Sequence, residues 1–147
     1  MKYRDAVTSD IEQIESLLKE CSLPVNDIVE YIDNFIVAEK DNKIIGLGGF
    51  EKHGDIVLLR SIAVTQEYRG KAIGKSIYQL LKSKISRVGV NNLYLLTETA
   101  TEYFKNIGFT IKERINVPEA VVRTKQFKEL CPSSAIVMFY ELDINNV

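Results

Sequence analysis

The chain has 147 residues, of which 46% are hydrophobic and 27% are charged, a size and composition typical of one soluble globular domain spanning residues 1–147. Its 19 basic and 20 acidic residues leave a net charge of -1, so the molecule as a whole does not attract nucleic acid or an anionic membrane surface. Two widely separated cysteines and one histidine give no support for a disulfide framework or a zinc site.

The first part of the chain predicts one strand followed by two helices. It begins Met1-Lys2-Tyr3 without a hydrophobic signal region, and no apolar run reaches the roughly 20 residues that cross a bilayer. We therefore expect a soluble, cytoplasmic protein. Residues 2–6 favour a strand, and Ser9 and Glu12 have the spacing of a capping box that begins the first helix. A second helix is predicted over 26–33.

A β-hairpin and a central strand follow. The pattern predicts strands over 35–39 and 44–50, a turn between them at 40–43, and a further strand over 56–64. The nearly unbroken aliphatic run of this last strand is typical of a strand covered on both faces. The strand before it contains three glycines, which indicate close backbone approach or a bulge: Gly46, Gly48 and Gly49.

The central strand leads into a helix predicted over 76–88 and then, by a right-handed crossover, into a strand over 93–97. Apolar residues at helical spacing predict the buried face of the helix: Ile73, Ile77, Leu80, Leu81, Ile85 and Val88. The remaining pattern predicts a helix over 98–107, a strand over 109–112, a helix over 124–130 and a strand over 135–142.

The loop between the central strand and its helix is suited to binding a pyrophosphate. Positions 70, 72 and 74 are small, and positions 69, 71 and 75 are cationic. Small residues let backbone N–H groups approach a ligand, and a helix N-terminus carries about half a positive charge. The spacing is one residue short of a Walker loop, and the three glycines of a dinucleotide fingerprint are missing.

The run Arg69-Gly70-Lys71-Ala72-Ile73-Gly74, with Leu-Arg-Ser-Ile-Ala-Val before it, resembles the acetyl-CoA loop of the GCN5-related N-acetyltransferase (GNAT) family. The family pattern is Gln/Arg-x-x-Gly-x-Gly/Ala, and Ala72 stands at its middle glycine. The order of predicted elements also resembles the family over nearly the whole chain. The resemblance implies an α/β, three-layer fold with a mixed central sheet, helices on both faces and a V-shaped split between the central strands.

The resemblance further implies acetyl-CoA as a cosubstrate and direct transfer of its acetyl group to a small-molecule amine. Strand edges left unpaired in the split can pair with the amides of the pantetheine arm. The implied cofactor-binding residues are Ile62, Ala63, Val64, Arg69, Gly70, Lys71, Ala72, Ile73, Gly74, Lys75 and Thr97. We expect no nucleic acid, membrane or metal partner, and either a monomer or a homodimer.

The residues that transfer protons are less clearly marked. Many family members resemble one another in an Asn-x-x-Ala pattern followed by a proton-donating Tyr; here Thr97 takes the Asn position and Phe104, which cannot donate a proton, takes the Tyr position. Tyr103 is the substitute acid, although on a helix its side chain points about 100° away, and a packed or surface aromatic is the alternative. Besides a water chain, the candidate bases are Glu51, His53 and Glu98.

Three segments, 93–100, 104–109 and 124–135, resemble the branch of the family associated with arsenic-resistance loci and, more distantly, the catalytic domain of N-acetylglutamate synthase. This resemblance implies an amino-acid-like acceptor, whose carboxylate Arg60 can grip bidentately. A structural salt bridge is the alternative role for Arg60. The next candidates for binding the acceptor are Arg114, Arg123 and Lys125.

Two features leave other interpretations open. The single thiol of Cys131, next to Pro132, is a poor site for a soft metalloid, and we interpret it as a packing residue. Phe104 at the position of the family's acid supports an alternative function, in which the protein is a catalytically weak acyl-CoA-binding sensor or regulatory module.

Overall fold

The computed structural model describes residues 1–25, 27–97, 100–124, 127–128 and 135–142, and for Ser61 the backbone alone. The strands are β1 (Lys2–Asp5), β2 (Phe35–Lys40), β3 (Lys43–His53), β4 (Ile56–Val64), β5 (Asn92–Thr97), β6 (Thr110–Lys112) and β7 (Ile136–Glu141). The α-helices are α1 (Ile11–Glu20), α2 (Ile28–Tyr31), α3 (Ile73–Arg87), α4 (Thr101–Asn106) and α5 (Glu119–Val122). Short 3-10 helices cover Thr8–Asp10, Ile32–Asn34, Gln66–Tyr68 and Arg114–Asn116.

The chain forms two compact units. The first unit contains residues 1–51 and 61–84, and the second contains residues 52–60 and 85–147. In the first unit the strand order is β1-β2-β3-β4, with β1 and β3 both antiparallel to β2. In the second unit the order is β4-β5-β7-β6, with β4 and β5 parallel and the other neighbours antiparallel. The predicted mixed sheet is therefore confirmed.

In the first unit, helices cover both faces of the strands. Side chains of α1 and α2 pack against one face in a cluster that includes Ile14, Leu17, Leu18, Ile28, Phe35, Val37, Leu47 and Ala63. On the opposite face a Cβ atom at Gly48 would lie 2.8 Å from Ile77 and 2.9 Å from Leu81. The glycine thus lets α3 lie directly on β3, as the sequence predicted.

The second unit has a core of its own around α5. Its buried side chains come from both central strands, from the segment 117–127 and from the last strand: Ile56, Leu58, Tyr94, Val117, Val121, Phe127 and Val137. The sequence did not predict α5, which begins after Pro118 and ends where the Thr124 hydroxyl donates to the Val121 carbonyl at 2.7 Å. Most of the helix predicted over 124–130 lies outside the described residues.

The beginnings of the first two helices differ from their predicted positions. The first helix begins with a 3-10 turn and becomes α-helical at Ile11, and the Asp10 carboxylate accepts a hydrogen bond from the Val7 N–H at 2.8 Å. Asp10, rather than the predicted pair Ser9 and Glu12, therefore fixes this end. The second helix is reduced to α2 and a 3-10 turn, because Asp27 has a left-handed φ of 65° and cannot be part of a helix.

The predicted buried face of α3 is partly wrong. Leu80 and Val88 are each 41% exposed, whereas Tyr78 is 4% exposed. At about 100° per residue, Leu80 falls at the margin of the arc that Ile77 and its buried neighbours occupy. Val88 lies past the last residue of the helix. The helix also begins at Ile73, three residues before the predicted start.

The second unit contains the predicted split between the central strands. β4 and β5 pair only at Ile56↔Asn92, Val57↔Leu93 and Leu58↔Tyr94. β5 nevertheless continues on its other edge, where Thr97 is still paired with Ile136 of β7. The edge of β5 that faces β4 is therefore unpaired beyond Tyr94, which confirms the V-shaped split. Among the described residues, no helix has the length and apolar character needed to cross a membrane. That the chain forms a single domain stays a prediction.

Candidate functional site

The connection between β4 and α3, residues 65–72, contains two small residues with left-handed backbones. Gly70 has a φ of 81° and Ala72 a φ of 62°. The Ala72 carbonyl accepts the N–H of Ser76 at 3.1 Å, which is the first hydrogen bond of α3. The N–H groups of the first turn of a helix have no partner inside the helix and point out of its N-terminal end. The connection therefore ends in a cluster of outward N–H groups, and Ala72 adopts a conformation that glycine prefers.

The open space that a ligand needs is present in front of this connection. A Cβ atom at Gly70 would meet no atom within 4 Å, and one at Gly74 would lie 3.8 Å from the methyl groups of Ile62 and Val64. Ala63, between those two strand residues, is 4% exposed and faces the cluster beneath α1 and α2. Only the backbone of Ala63 is thus available to a cofactor. The side chains of Ile62 and Val64 lie beneath the first turn of α3.

Arg69 is turned toward the end of β4. Its Nε donates to the Val64 carbonyl at 3.1 Å, and its Nη2 lies 3.6 Å from the sulfur of Cys21. The Cys21 Sγ is itself 3.9 Å from the same carbonyl. The guanidinium therefore fastens the connection to the strand and to the end of α1. No pattern in the sequence indicates this contact of Cys21.

A second group of contacts in the first unit surrounds the ring of Tyr68, which is part of the connection. The Nζ of Lys71 lies 5.4 Å from the centroid of the Tyr68 ring, and the Nζ of Lys40, from the end of β2, lies 5.3 Å from it. The contact between Lys40 and Tyr68 was not predicted, because it joins the hairpin to the connection through the fold. The predicted cation Lys75 is exposed on the first turn of α3.

Three of the predicted site residues belong to the second unit: Arg60, Thr97 and Tyr103. Arg60 is 4% exposed and Thr97 is 9% exposed. The Thr97 hydroxyl accepts the N–H of Ala100 at 2.9 Å, so it fixes the chain that enters α4. Tyr103 is 42% exposed, and burial of the rest of the side chain raises the pKa of its phenol. A tyrosine phenol carries its proton at neutral pH, but the raised pKa makes Tyr103 a weaker acid than an ordinary tyrosine.

The sequence profile of the acetyltransferase (GNAT) domain matches residues 32–111. The chain belongs to the GNAT family. A protein of Chlorobaculum tepidum named as an uncharacterized N-acetyltransferase is 30% identical over 100 residues, or 67% of this chain and 64% of that protein. An amino-acid acetyltransferase of Serratia proteamaculans is 30% identical over 87 residues, or 56% of this chain and 19% of that protein. The chain spans less than two thirds of the length of either relative.

Solved structures confirm the GNAT fold. N-acetylglutamate synthase of Neisseria gonorrhoeae, complexed with coenzyme A and N-acetyl-glutamate, superposes with a TM-score of 0.82 at 20% identity, over 96% of this chain and 35% of that chain. Rv2747 of Mycobacterium tuberculosis, complexed with CoA, superposes with a TM-score of 0.80 at 23% identity, over 97% of this chain and 99% of that chain.

The other predicted binding and catalytic residues of this GNAT chain either have protein partners, are at least half buried, or lie outside the described residues. Arg114 donates to the Ala135 carbonyl at 2.7 Å, and Arg123 lies 3.3 Å from Glu119, so both already have protein partners. Glu51 is 3% exposed and His53 is half-buried at the end of β3. Three candidates lie outside the described residues: Glu98, Lys125 and Cys131. Within the described part of the chain, no group of three His, Cys, Asp or Glu side chains could hold a metal ion.

Proposed function

We propose that this GNAT chain is an acetyl-CoA-dependent N-acetyltransferase that moves an acetyl group to the amine of a small, amino-acid-like acceptor by direct transfer. The observation that carries the proposal is the β4–α3 connection, with left-handed Gly70 and Ala72 ahead of a helix of 15 residues. An amino-acid acetyltransferase among the relatives and the structural likeness to N-acetylglutamate synthase support an amino-acid-like acceptor. The arsenic-resistance branch stays a prediction from the sequence.

In this proposal the pyrophosphate of CoA binds at the N-terminal end of α3. The N–H groups of Ile73, Gly74 and Lys75 point out of that end, where the helix dipole favours an anion. The open space at Gly70 gives the phosphates room. Arg69 acts mainly by fastening the connection to the Val64 carbonyl, and Lys71 and Lys75 add positive charge at the edge of the site.

The pantetheine arm is proposed to enter the split. Beyond Tyr94 the edge of β5 facing β4 offers unpaired N–H and C=O groups, and the two amides of pantetheine are matching partners. A backbone N–H near the thioester carbonyl would stabilise the developing oxyanion. We include Thr97 here because its hydroxyl bond to Ala100 holds the end of β5 in place.

The chemistry requires no covalent protein intermediate. The neutral amine of the acceptor attacks the thioester carbonyl, a C–N bond forms, the C–S bond breaks, and the amine loses one proton while the CoA thiolate gains one. Tyr103, which is adjacent to Phe104 at the family's acid position, is our proposed proton donor to the thiolate. We do not assign the general base. The candidates are a water chain and the side chains of Glu51, His53 and Glu98.

Arg60 is our proposed partner for the carboxylate of the acceptor. Its side chain is 4% exposed, and a buried guanidinium with five donors requires several acceptors. A carboxylate matches its planar fork bidentately, so an amino-acid acceptor would add to the partners that the protein itself supplies. This role would orient the amine of the acceptor without a direct part in the chemistry.

The proposal is tested by measuring free-thiol release from acetyl-CoA in the presence of a panel of amino acids. We expect thiol release that depends on one acceptor class, with the N-acetylated product identified by mass spectrometry. One observation favours the alternative of a CoA-binding sensor: Phe104 occupies the position of the family's acid and packs edge-on against Phe109 at 5.5 Å. Calorimetric binding of acetyl-CoA without thiol release from any amine would support that alternative.

A further inference from the structure

The buried hydroxyl of Thr97 accepts a hydrogen bond but donates none to the described part of the chain. The side chain is 9% exposed. Its oxygen accepts the N–H of Ala100 at 2.9 Å, and the Ala100 carbonyl accepts the N–H of Phe104, which is the first hydrogen bond of α4. A threonine hydroxyl also carries a hydrogen that it can donate. No residue that the structure describes accepts this hydrogen.

The spare hydrogen of Thr97 is not explained by the bond to Ala100. That bond requires an oxygen at position 97, because the oxygen is the acceptor. It does not require a hydroxyl, since a carboxylate accepts a backbone N–H equally well. A buried donor without an acceptor destabilises the folded state, and such groups are few in native proteins. The hydrogen is therefore available to a ligand.

The hydroxyl lies at the end of the open edge of β5. The pairing of β4 with β5 ends at Leu58 and Tyr94, whereas Thr97 is still paired with Ile136 on the other side of β5. Tyr94 and Leu96 pack in the core around α5. Because side chains alternate along a strand, Thr97 lies on the opposite face. The spare donor thus lies outside that core, where β5 leaves its edge unpaired.

We propose that the Thr97 hydroxyl donates a hydrogen bond to the sulfur of the cosubstrate and stabilises the negative charge that develops there as the C–S bond breaks. The inference rests on the proposed function, which places the pantetheine arm along this edge of β5. The electron pair of the C–S bond goes to the sulfur. Thr97 keeps its own proton, because an alcohol is a far weaker acid than a thiol, and the thiolate then takes a proton from Tyr103.

The side chains around α4 give this donor its importance. Phe104 has no group to donate and packs edge-on against Phe109 at 5.5 Å. Tyr103 is 42% exposed, and its ring packs against that of Phe104 at 5.2 Å. Thr97 is instead buried and held in one orientation by its bond to Ala100. A donor that is already oriented stabilises a developing charge without reorganising.

Calorimetry with CoA and desulfo-CoA, in which a hydrogen replaces the thiol, tests the contact without turnover. At about pH 8.5 a free thiol is partly ionised, so the hydrogen bond to sulfur is strengthened. We expect Thr97→Val to weaken CoA binding about fivefold, the scale of one hydrogen bond, and to leave desulfo-CoA binding unchanged. Thr97→Ser should retain the wild-type ratio of the two affinities. Thr110→Val, at an exposed threonine of β6, is the matched control and should change neither affinity.

Steady-state kinetics supply a second measurement. In Thr97→Val the kcat for acetyl transfer should fall about tenfold or more, because one donor to the developing charge is lost, while the KM for the acceptor stays nearly unchanged. If the wild type turns over acetyl-CoA and Thr97→Val does so equally fast, the proposed function stands and the inference about Thr97 fails.

The binding results separate the same possibilities. Equal weakening of CoA and desulfo-CoA in Thr97→Val would make Thr97 a structural residue of the β5–α4 junction and would overturn the inference, as would unchanged CoA binding. A wild type that binds neither nucleotide would contradict the proposed function itself. If thermal unfolding shows that Thr97→Val is not folded, Thr97→Asp supplies the test. Its carboxylate keeps an acceptor for Ala100 but has no hydrogen to donate, so it should also weaken CoA binding alone.

Discussion

Ala72 has a backbone conformation that its side chain opposes. A φ of 62° places its Cβ close to the following carbonyl, which costs about 1–2 kcal/mol for an L-residue. The conformation persists because the Ala72 carbonyl begins α3 and the preceding residues are fastened to β4. Strain of this kind is concentrated where the backbone must present specific groups to a ligand.

Ala72→Gly should therefore stabilise the protein. We expect the free energy of unfolding to rise by about 0.5–1 kcal/mol, because glycine adopts a positive φ without strain but loses more entropy on folding. Urea denaturation measures the change. Gly70→Ala is the opposite control: its φ is 81° and its Cβ would meet no atom within 4 Å, so any loss of stability comes from the backbone. A decrease in stability for Ala72→Gly would contradict the strain argument.

Gly74 tests the position of the cofactor. A Cβ there would already touch Ile62 and Val64 at 3.8 Å, so the further methyl groups of valine have to turn toward the space in front of α3. We expect Gly74→Val to weaken acetyl-CoA binding at least tenfold in calorimetry, by crowding the N–H groups of the first turn. Gly74→Ala, which fits in ordinary contact, is the control for folding. Unchanged affinity in Gly74→Val would mean that CoA binds elsewhere.

Among the elements, β1, β2 and the start of α1 are joined by the guanidinium of Arg4, which bonds both Asp10 and Glu39. Asp10 is 5% exposed and accepts from the Arg4 guanidinium at 2.7 Å and 2.9 Å. Arg4 also donates to Glu39 of β2 at 2.9 Å. The hydrogen bond from Arg4, followed by that from the Val7 N–H, holds the pKa of Asp10 below its ordinary value of 3.8.

Asp10→Asn should lower the free energy of unfolding at neutral pH by about 2 kcal/mol, since hydrogen bonds to a charged group are lost in a buried position. Because the folded pKa is depressed, this stabilisation is present above the unfolded pKa and is lost as the pH falls through the folded pKa. The difference from wild type should therefore stay constant from about pH 7 to about pH 5 and shrink below about pH 4.

The control for this prediction is Asp5→Asn. Asp5 pairs with Lys84 at 3.1 Å, but its side chain is 73% exposed, and exposed pairs contribute little. We expect its unfolding free energy to stay close to that of wild type in denaturant titrations across the same pH range. A pH-independent loss in Asp10→Asn would show that packing, and not the charge, explains the effect.

The sequence predicted long elements better than short ones. The hairpin turn was predictable because Asp41 and Asn42 tolerate left-handed φ angles, which are 53° and 64° in the structure. The four residues of α5 are too few for a helical period to emerge, and their position depends on the packing of Val121 in the second unit's core. The left-handed Asp27, which shortens α2, is equally a consequence of local tertiary context.

In the molecule as a whole, the connection between β4 and α3 could be predicted from the sequence, but the residues that contact it from other elements could not. Positions 69–75 follow a local pattern, whereas Lys40 and Cys21 reach the connection only through the folding of the first unit. Composition also indicated that any anion binding must be local, since the net charge is only -1, and this stays a prediction. The base and acid could not be predicted, because the family's tyrosine position holds Phe104.

Arg60 provides the test of the acceptor. Arg60→Lys keeps the charge but loses the planar fork, so we expect the KM for an amino-acid acceptor to rise about tenfold while the KM for acetyl-CoA is nearly unchanged. Steady-state kinetics with both substrates varied measures this. Arg87→Lys, at the exposed last residue of α3, is the matched control and should change neither constant.

Two other results would assign Arg60 differently. An equal loss toward both substrates would identify Arg60 as a structural residue, held by its protein partners. No loss toward either would mean that the acceptor carboxylate is bound by another group of the chain. Thermal unfolding of Arg60→Lys separates a general loss of folded protein from a specific loss of acceptor binding.

If acetyl-CoA binds in the split between β4 and β5 as proposed, the stability of the protein in the cell would depend on the supply of this ligand. β4 and β5 stop pairing after Leu58 and Tyr94. A ligand bound in the split would therefore add interactions that only the folded chain can make. An occupant that binds only the folded chain adds about 2.7 kcal/mol of stability when its concentration is 100 times its dissociation constant. The unfolded fraction exposed to cellular proteases would then fall when acyl-CoA is plentiful and rise in starvation. Under the proposed function, the lifetime of this protein would thus follow the supply of its cosubstrate.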